Sequence, residues 1–142
     1  MSSDPPSGPI KYQLEPELTV EEFASVLHSS TLAERRPVDD PGRLDSMLRQ
    51  ADIILTARDG QGKLVGVSRA LSDFCYATYL SDLAVDRAFQ GQGIGRELIR
   101  QTRLAGGEKA LLILLAAPKA ASYYPHVGMK KHESCWILER GS

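Results

Sequence analysis

Apolar positions along this chain change period several times, and each change marks an element. Residues 10–14 alternate apolar and polar, the pattern of a short half-buried strand. Thr19 followed by Glu22 makes a capping box, and Phe23, Val26 and Leu27 recur behind it at helical spacing, so a first helix runs to about Ser30. Residues 33–40 are too polar for a core and read as a loop, with Arg35 and Arg36 in solvent. Asp40 caps a second helix that has Pro41 in its first turn and Leu44, Met47, Leu48 and Ala51 on its apolar face. Residues 53–57 and 64–71 are strands joined through Asp59-Gly60-Gln61-Gly62, a hairpin turn. A turn at 72–75 leads into a third long strand at 76–85. A helix follows over 93–104, with Leu98, Ile99, Thr102 and Ala105 inward and Gly106-Gly107 at its end.

Beyond that helix, residues 110–116 form an unbroken apolar run, as in a strand covered on both faces. Pro118 opens a short helix that Gly128 ends, and residues 130–138 supply one or two closing strands with Trp136 in the core. Three hairpin-linked strands followed by a β-α-β crossover imply an α+β fold. Its sheet is mixed, mostly antiparallel and of six to seven strands, with one parallel pair flanking the helix at Gly93.

Composition narrows the class. The 142 residues suit one domain, read here as residues 10–139 behind a flexible Ser/Pro/Gly-rich arm at 1–9. Hydrophobic residues make up 42% and charged residues 25%, which argues against disorder. A formal net charge of −1 disfavours a dedicated nucleic-acid binder. No apolar run is long enough for a membrane span, and nothing at the N-terminus resembles a secretory signal, so the sequence reads as cytoplasmic. Cys75 and Cys135 lack metal-ligand spacing, so no metal site is expected and both are read as free, partly buried thiols.

The most specific passage is 79–96, where Gly91, Gly93 and Gly95 fall between a strand and a helix. Such glycines permit tight turns and expose backbone N–H groups where the helix start adds partial positive charge, which makes an anion cradle. A P-loop would need Lys-Ser/Thr after the last glycine, whereas Arg96 and Glu97 follow Gly95. A dinucleotide loop would need G-x-G-x-x-G and an acidic residue about 20 positions on, and neither is present.

What remains is Gln/Arg-x-x-Gly-x-Gly/Ala, met by Gln90, Gly93 and Gly95. With Asp82-Leu83-Ala84-Val85 before it and Tyr123-Tyr124-Pro125-His126-Val127-Gly128-Met129 after it, the chain resembles the GNAT superfamily of acetyl-CoA-dependent N-acetyltransferases. The resemblance covers about residues 50–138 and implies a three-layer fold whose parallel pair splays apart. It implies acetyl-CoA as cosubstrate, with the pyrophosphate on the backbone N–H groups of Gln92, Gly93, Gly95 and Arg96. Gln90, Gly91 and Ile94 belong to the same coenzyme-binding loop. Leu83, Ala84 and Val85 would line the pantetheine arm, Leu83 and Val85 through their main-chain groups.

Acetyl transfer to an amine needs a neutral nucleophile, a stabilised oxyanion and a proton for the departing thiolate. By resemblance Tyr124, four residues before Gly128, donates that proton, while Tyr123 packs in the family's usual Phe position. Some relatives carry a Glu where this chain has Ser81. A water chain through Ser81 or the Tyr79 hydroxyl is the substitute, with Tyr79, Ser81 and Leu83 on one strand face and Leu80, Asp82 and Ala84 on the other. Asp82 enters the site only if the strand bulges. Ala117 stands where many relatives have an Asn. In relatives the loop between the first two helices lines the acceptor site. Arg36-Pro37-Val38-Asp39-Asp40 and Arg69-Ala70-Leu71-Ser72-Asp73 also resemble serotonin-type acetyltransferases, which favours a small-molecule amine over a protein tail. A CoA-binding protein without catalysis is the competing class, and a homodimer, common among such relatives, is left open.

Overall fold

The computed structural model describes residues 9–141, the side chain of Lys119 apart. The arm read over 1–9 therefore lies, except for Pro9, outside the described residues. The elements are β1 (Lys11–Leu14), α1 (Val20–Ser29), α2 (Pro41–Arg49), β2 (Ile53–Arg58), β3 (Leu64–Ser72), β4 (Ala77–Val85), α3 (Ile94–Gly106), β5 (Leu111–Ile113) and the single turn α4 (Tyr123–His126). The strands form one sheet in the order β1-β2-β3-β4-β5, antiparallel except for the parallel pair β4/β5.

Local chemistry sets the helix starts. The Thr19 hydroxyl accepts from the Glu22 N–H and the Asp40 carboxylate from the Arg43 N–H, caps of about 1 kcal/mol each. One face of the sheet packs α1 and α2 through Phe23, Val26, Leu27, Leu44 and Leu48 against Ile54, Val67 and Ala84. The other packs α3 through Ile94 and Leu98 against Ile53, Leu55, Val65, Ala70 and Leu80. Within that second layer the Thr102 hydroxyl, which donates to the Leu98 carbonyl, meets Ser68 Oγ at 2.6 Å and satisfies two buried polar groups. Arg58 forks onto both Glu15 and Glu22 and ties the end of β1 to the start of α1.

Several expectations are corrected. The described sheet has five strands where the pattern predicts six to seven, because residues 130–138 form no strand. Trp136, read as core, is 92% exposed. The apolar run at 110–116 yields only three residues of strand, and Leu111 and Ile113 are exposed because no further strand among the described residues covers them. The helix read over 118–128 divides into a 3-10 turn at Pro118–Ala120 and α4, and the loop at 33–40 begins within a 3-10 turn at Leu32–Arg35. Both cysteines are exposed rather than partly buried.

Candidate functional site

The site forms where β4 and β5 part. Their pairing covers only Ala77↔Leu111, Thr78↔Leu112 and Tyr79↔Ile113, so β4 continues to Val85 with an open edge. The Asp86 N–H bonds the Val65 carbonyl on β3. Main-chain groups alternate along a strand, so Val85 and Leu83 direct theirs to the opposite, open edge. The Val85 carbonyl there accepts from Gln90 Nε2 at 3.0 Å, which fastens the loop to the strand end. The splay that the motif implies is thus present at these two residues, while Ala84 is buried in the α1/α2 layer.

The glycine loop follows directly. The Asp86 carboxylate accepts from the Ala88 N–H and starts a 3-10 turn, Arg87–Phe89. Gly91 and Gly93 then have φ of +80° and +85°, a left-handed region that only glycine enters without strain. A Cβ at either would meet nothing within 4 Å, so both face open space. Gly93 is the N-cap of α3 and offers no side-chain cap, so the N–H groups of Ile94, Gly95 and Arg96 have no partner within the helix. The Ile94 side chain is buried beneath them, whereas Gln92 and Arg96 are exposed. An open, backbone-lined helix start fits an anionic group such as a pyrophosphate.

Gly95 serves another purpose. A Cβ there would lie 2.6 Å from the Tyr123 hydroxyl, so this glycine lets α4 dock on the first turn of α3. Arg96 Nη2 donates to the His126 carbonyl at 2.7 Å and holds the same contact from the far end of α4. Tyr123 and Tyr124 meet edge-on with centroids 5.4 Å apart. Burial, and next the neighbouring Tyr123, push the Tyr124 phenol above its ordinary pKa, with Arg36 opposing, so it stays protonated. The Tyr123 phenol is likewise raised by burial, with Arg96 opposing.

On β4 the structure departs most from the sequence reading. Asp82 pairs with Arg69 but Leu80 pairs with Ala70, which leaves Ser81 as the extra residue of a β-bulge. The bulge reverses the alternation. Leu80 packs against α3 and Ala84 against α1/α2, so Leu80 and Ala84 do not share a face. Tyr79 and Leu83 are likewise separated. Asp82, wholly buried, pairs with both Arg36 and Arg69. Arg36 Nη2 also donates to the Ser81 carbonyl at 2.8 Å, and Arg69 Nη2 to Ser81 Oγ at 2.9 Å. Arg69 Nη1 reaches the Met47 carbonyl at 3.3 Å on α2.

Arg36, read as solvated, is therefore half-buried and ties the loop before α2 to the bulge. Sequence reasoning missed this cluster. The signal was an Arg and an Asp inside apolar strands, since such charges are buried only when paired. The structure thus gathers the glycine loop, the open edge at Leu83 and Val85, and both α4 tyrosines. Ser81 sits on the bulge beside Arg36, whose charge reaches Tyr124, and Tyr79 marks the fork where β4 and β5 part. Among the described residues no group of three or more His, Cys, Asp or Glu comes together as a metal site, and no helix is long and apolar enough to cross a membrane.

A family model for an acetyltransferase (GNAT) domain matches residues 50–130. The uncharacterized N-acetyltransferase ycf52 of Pyropia yezoensis is 33% identical over 89 residues, 59% of this chain and 51% of that protein. The chain spans about half the length of the curated relatives it matches. Aminoglycoside N-acetyltransferase AAC(6')-Iy, solved in complex with CoA, has a TM-score of 0.71 at 15% identity, over 98% of this chain and 99% of that one. An aminoglycoside acetyltransferase from an uncultured soil metagenomic sample, solved with sisomicin, has a TM-score of 0.69 at 21% identity, over 92% and 94%. At these identities the two structures speak for the fold.

Proposed function

The chain belongs to the GNAT acetyltransferase family, and from that premise we propose that it transfers acetyl from acetyl-CoA to a primary amine of a small molecule. The observation that carries this reading is the open edge of β4 at Leu83 and Val85, which runs into the uncapped start of α3. In this reading residues 10–139 act as one acetyltransferase domain. The backbone of Gly91, Gln92, Gly93, Ile94, Gly95 and Arg96 holds the pyrophosphate, and Gln90 keeps that loop in place. The main chain of Leu83 and Val85 pairs with the pantetheine arm as an added strand pairs with a sheet edge. The coenzyme supplies the activated acetyl group as a thioester.

The amine attacks directly in a ternary complex, with no covalent enzyme intermediate, since neither cysteine has a nucleophile's setting. Tyr124 holds the proton that goes to the departing sulfur, and its half-buried phenol keeps that proton through the neutral range. The carboxylate of Asp82 is engaged by two guanidinium groups and does not serve as base. Ser81 Oγ accepts from Arg69, which leaves its own O–H to donate. Ser81 and the Tyr79 hydroxyl accordingly position water that carries the amine's proton away. A small amine is favoured because two fold neighbours are aminoglycoside acetyltransferases.

The test is thiol release from acetyl-CoA across a panel of small amines and lysine peptides. Release with small amines and its loss in Tyr124→Phe support the reading. Release with peptides alone moves the acceptor to protein. The engagement of Asp82 by two guanidinium groups favours a second reading, a CoA-binding protein without turnover. Coenzyme binding with no release from any amine would establish that one instead.

A further inference from the structure

We propose, resting on the acetyltransferase reading above, that Arg36 selects the acceptor and that the amine carries an anionic group, a carboxylate or a phosphate ester, at its other end. Arg36 and Arg69 share the carboxylate of Asp82, so the three side chains together keep one positive charge. Of the three, Arg36 is the one a ligand can reach. Its side chain is 21% exposed, against 8% for Arg69 and none for Asp82. A guanidinium has five N–H groups, and Arg36 uses three of them, on Asp82 and on the carbonyls of Arg35 and Ser81. The other two, one on each terminal nitrogen, suit a carboxylate or phosphate oxygen.

The position is wrong for the coenzyme's own phosphates. Ser81 precedes Val85 by four residues, about 13 Å of strand, and the glycine loop lies beyond Val85. Arg36 stands instead near the proposed proton donor, since its charge acts on the Tyr124 phenol. The loop delivers it in a fixed pose. Thr31 opens the turn at Leu32–Arg35 with φ +73°, a left-handed conformation that a β-branched residue adopts under strain, and such strain collects at ligand sites. The loop's acids Glu34, Asp39 and Asp40 are exposed, so solvent screens them, whereas the half-buried guanidinium is screened much less. An acceptor with several ammonium groups, such as a polyamine, meets like charge here.

The test compares matched amines by thiol release from acetyl-CoA: γ-aminobutyrate with butylamine, phosphoethanolamine with ethanolamine, and spermidine as the polycation. In at least one pair the anionic member is expected to have a kcat/KM about 10-fold or more above its neutral partner, and that pair identifies the anion. The ratio shrinks as salt is raised. Arg36→Gln brings it near one, and Arg36→Lys keeps part of it, because the charge stays while the planar fork is lost. A ratio taken within one variant is independent of that variant's overall loss of rate. Equal rates in both pairs, a preference for spermidine, or a ratio that persists in Arg36→Gln would overturn the proposal. Calorimetric titration of the same amines into the CoA complex separates it from the reading beneath it. Preferential binding of an anionic amine without thiol release from any amine sinks acetyl transfer and keeps the anion site, and binding of none overturns both.

Discussion

Arg36 and Asp82, 46 residues apart in sequence, form an ion pair whose carboxylate is wholly buried. The pair fastens the loop before α2 to the bulge in β4, and Arg69 grips the other carboxylate oxygen from β3. Three segments thereby meet at Ser81. Removing Arg36 releases the loop while Arg69 still neutralises Asp82. Arg36→Ala is expected to lower kcat/KM for the amine by about 10-fold or more, with little change in acetyl-CoA affinity. Asp82→Asn leaves two guanidinium groups facing a neutral amide and costs about 3 kcal/mol, read by denaturant unfolding. Equal loss of amine and coenzyme affinity in Arg36→Ala would place the loop's role elsewhere.

Tyr124 is the proposed proton donor, and burial raises its pKa. A donor acts while protonated, so a raised pKa extends activity upward in pH. The alkaline fall in rate is expected above the phenol's ordinary value of 10.0. Tyr124→Phe is expected to cut kcat by ~100-fold or more while acetyl-CoA still binds, since general acids contribute factors of that size. Steady-state rates across pH and calorimetric titration of the coenzyme separate the two effects. An unchanged kcat in Tyr124→Phe would remove the tyrosine from the reaction.

Gly93 and Gly95 differ in kind, and alanine distinguishes them. At Gly93 the backbone has φ +85° in open space, so alanine costs about 1–2 kcal/mol of strain and puts a methyl into the cradle. Acetyl-CoA affinity is expected to fall about 10-fold or more, by calorimetry. At Gly95 the methyl meets the Tyr123 hydroxyl and displaces α4, so the loss appears in kcat through Tyr124. Gly95→Ala together with Tyr123→Phe relieves that contact and is expected to recover part of kcat.

Glu15 lies far from the site and governs acid stability. Hydrogen bonding to Arg58 holds its pKa at about 2, below its ordinary 4.5. A depressed carboxylate stabilises the fold in full above its unfolded value and loses that contribution as pH falls from 4.5 toward about 2. Glu15→Gln is expected to cost about 1 kcal/mol at neutral pH, solvent screening included, and to flatten the fall in stability over that acid window. Denaturant midpoints at neutral and acid pH check both parts.

Local pattern was enough for most of the elements. The capping residues Thr19 and Asp40, the hairpin at Asp59 and the glycine loop each act within a few residues, so their geometry is legible from spacing. The pairing of β4 with β5 was legible in kind but not in length. An apolar run at 110–116 carries no signal for where a neighbouring strand diverges, or for whether a further strand covers it. The closing strands failed for the same reason, since residues 130–138 have strand character but pair with no strand among the described residues.

By itself the sequence located the glycine loop at the start of α3 and the strand residues Leu83 and Val85 before it, because each rests on residue type at fixed short spacing. Tertiary structure alone decided that Ser81 is a bulge, that Asp82 is therefore turned toward Arg36 and Arg69, and that Trp136 stands in solvent. Register and burial depend on which distant segments meet, and a one-residue slip in pairing moves every later side chain to the other face. The glycine loop is local and was legible. The Arg36–Asp82–Arg69 cluster is assembled from distant segments and was not.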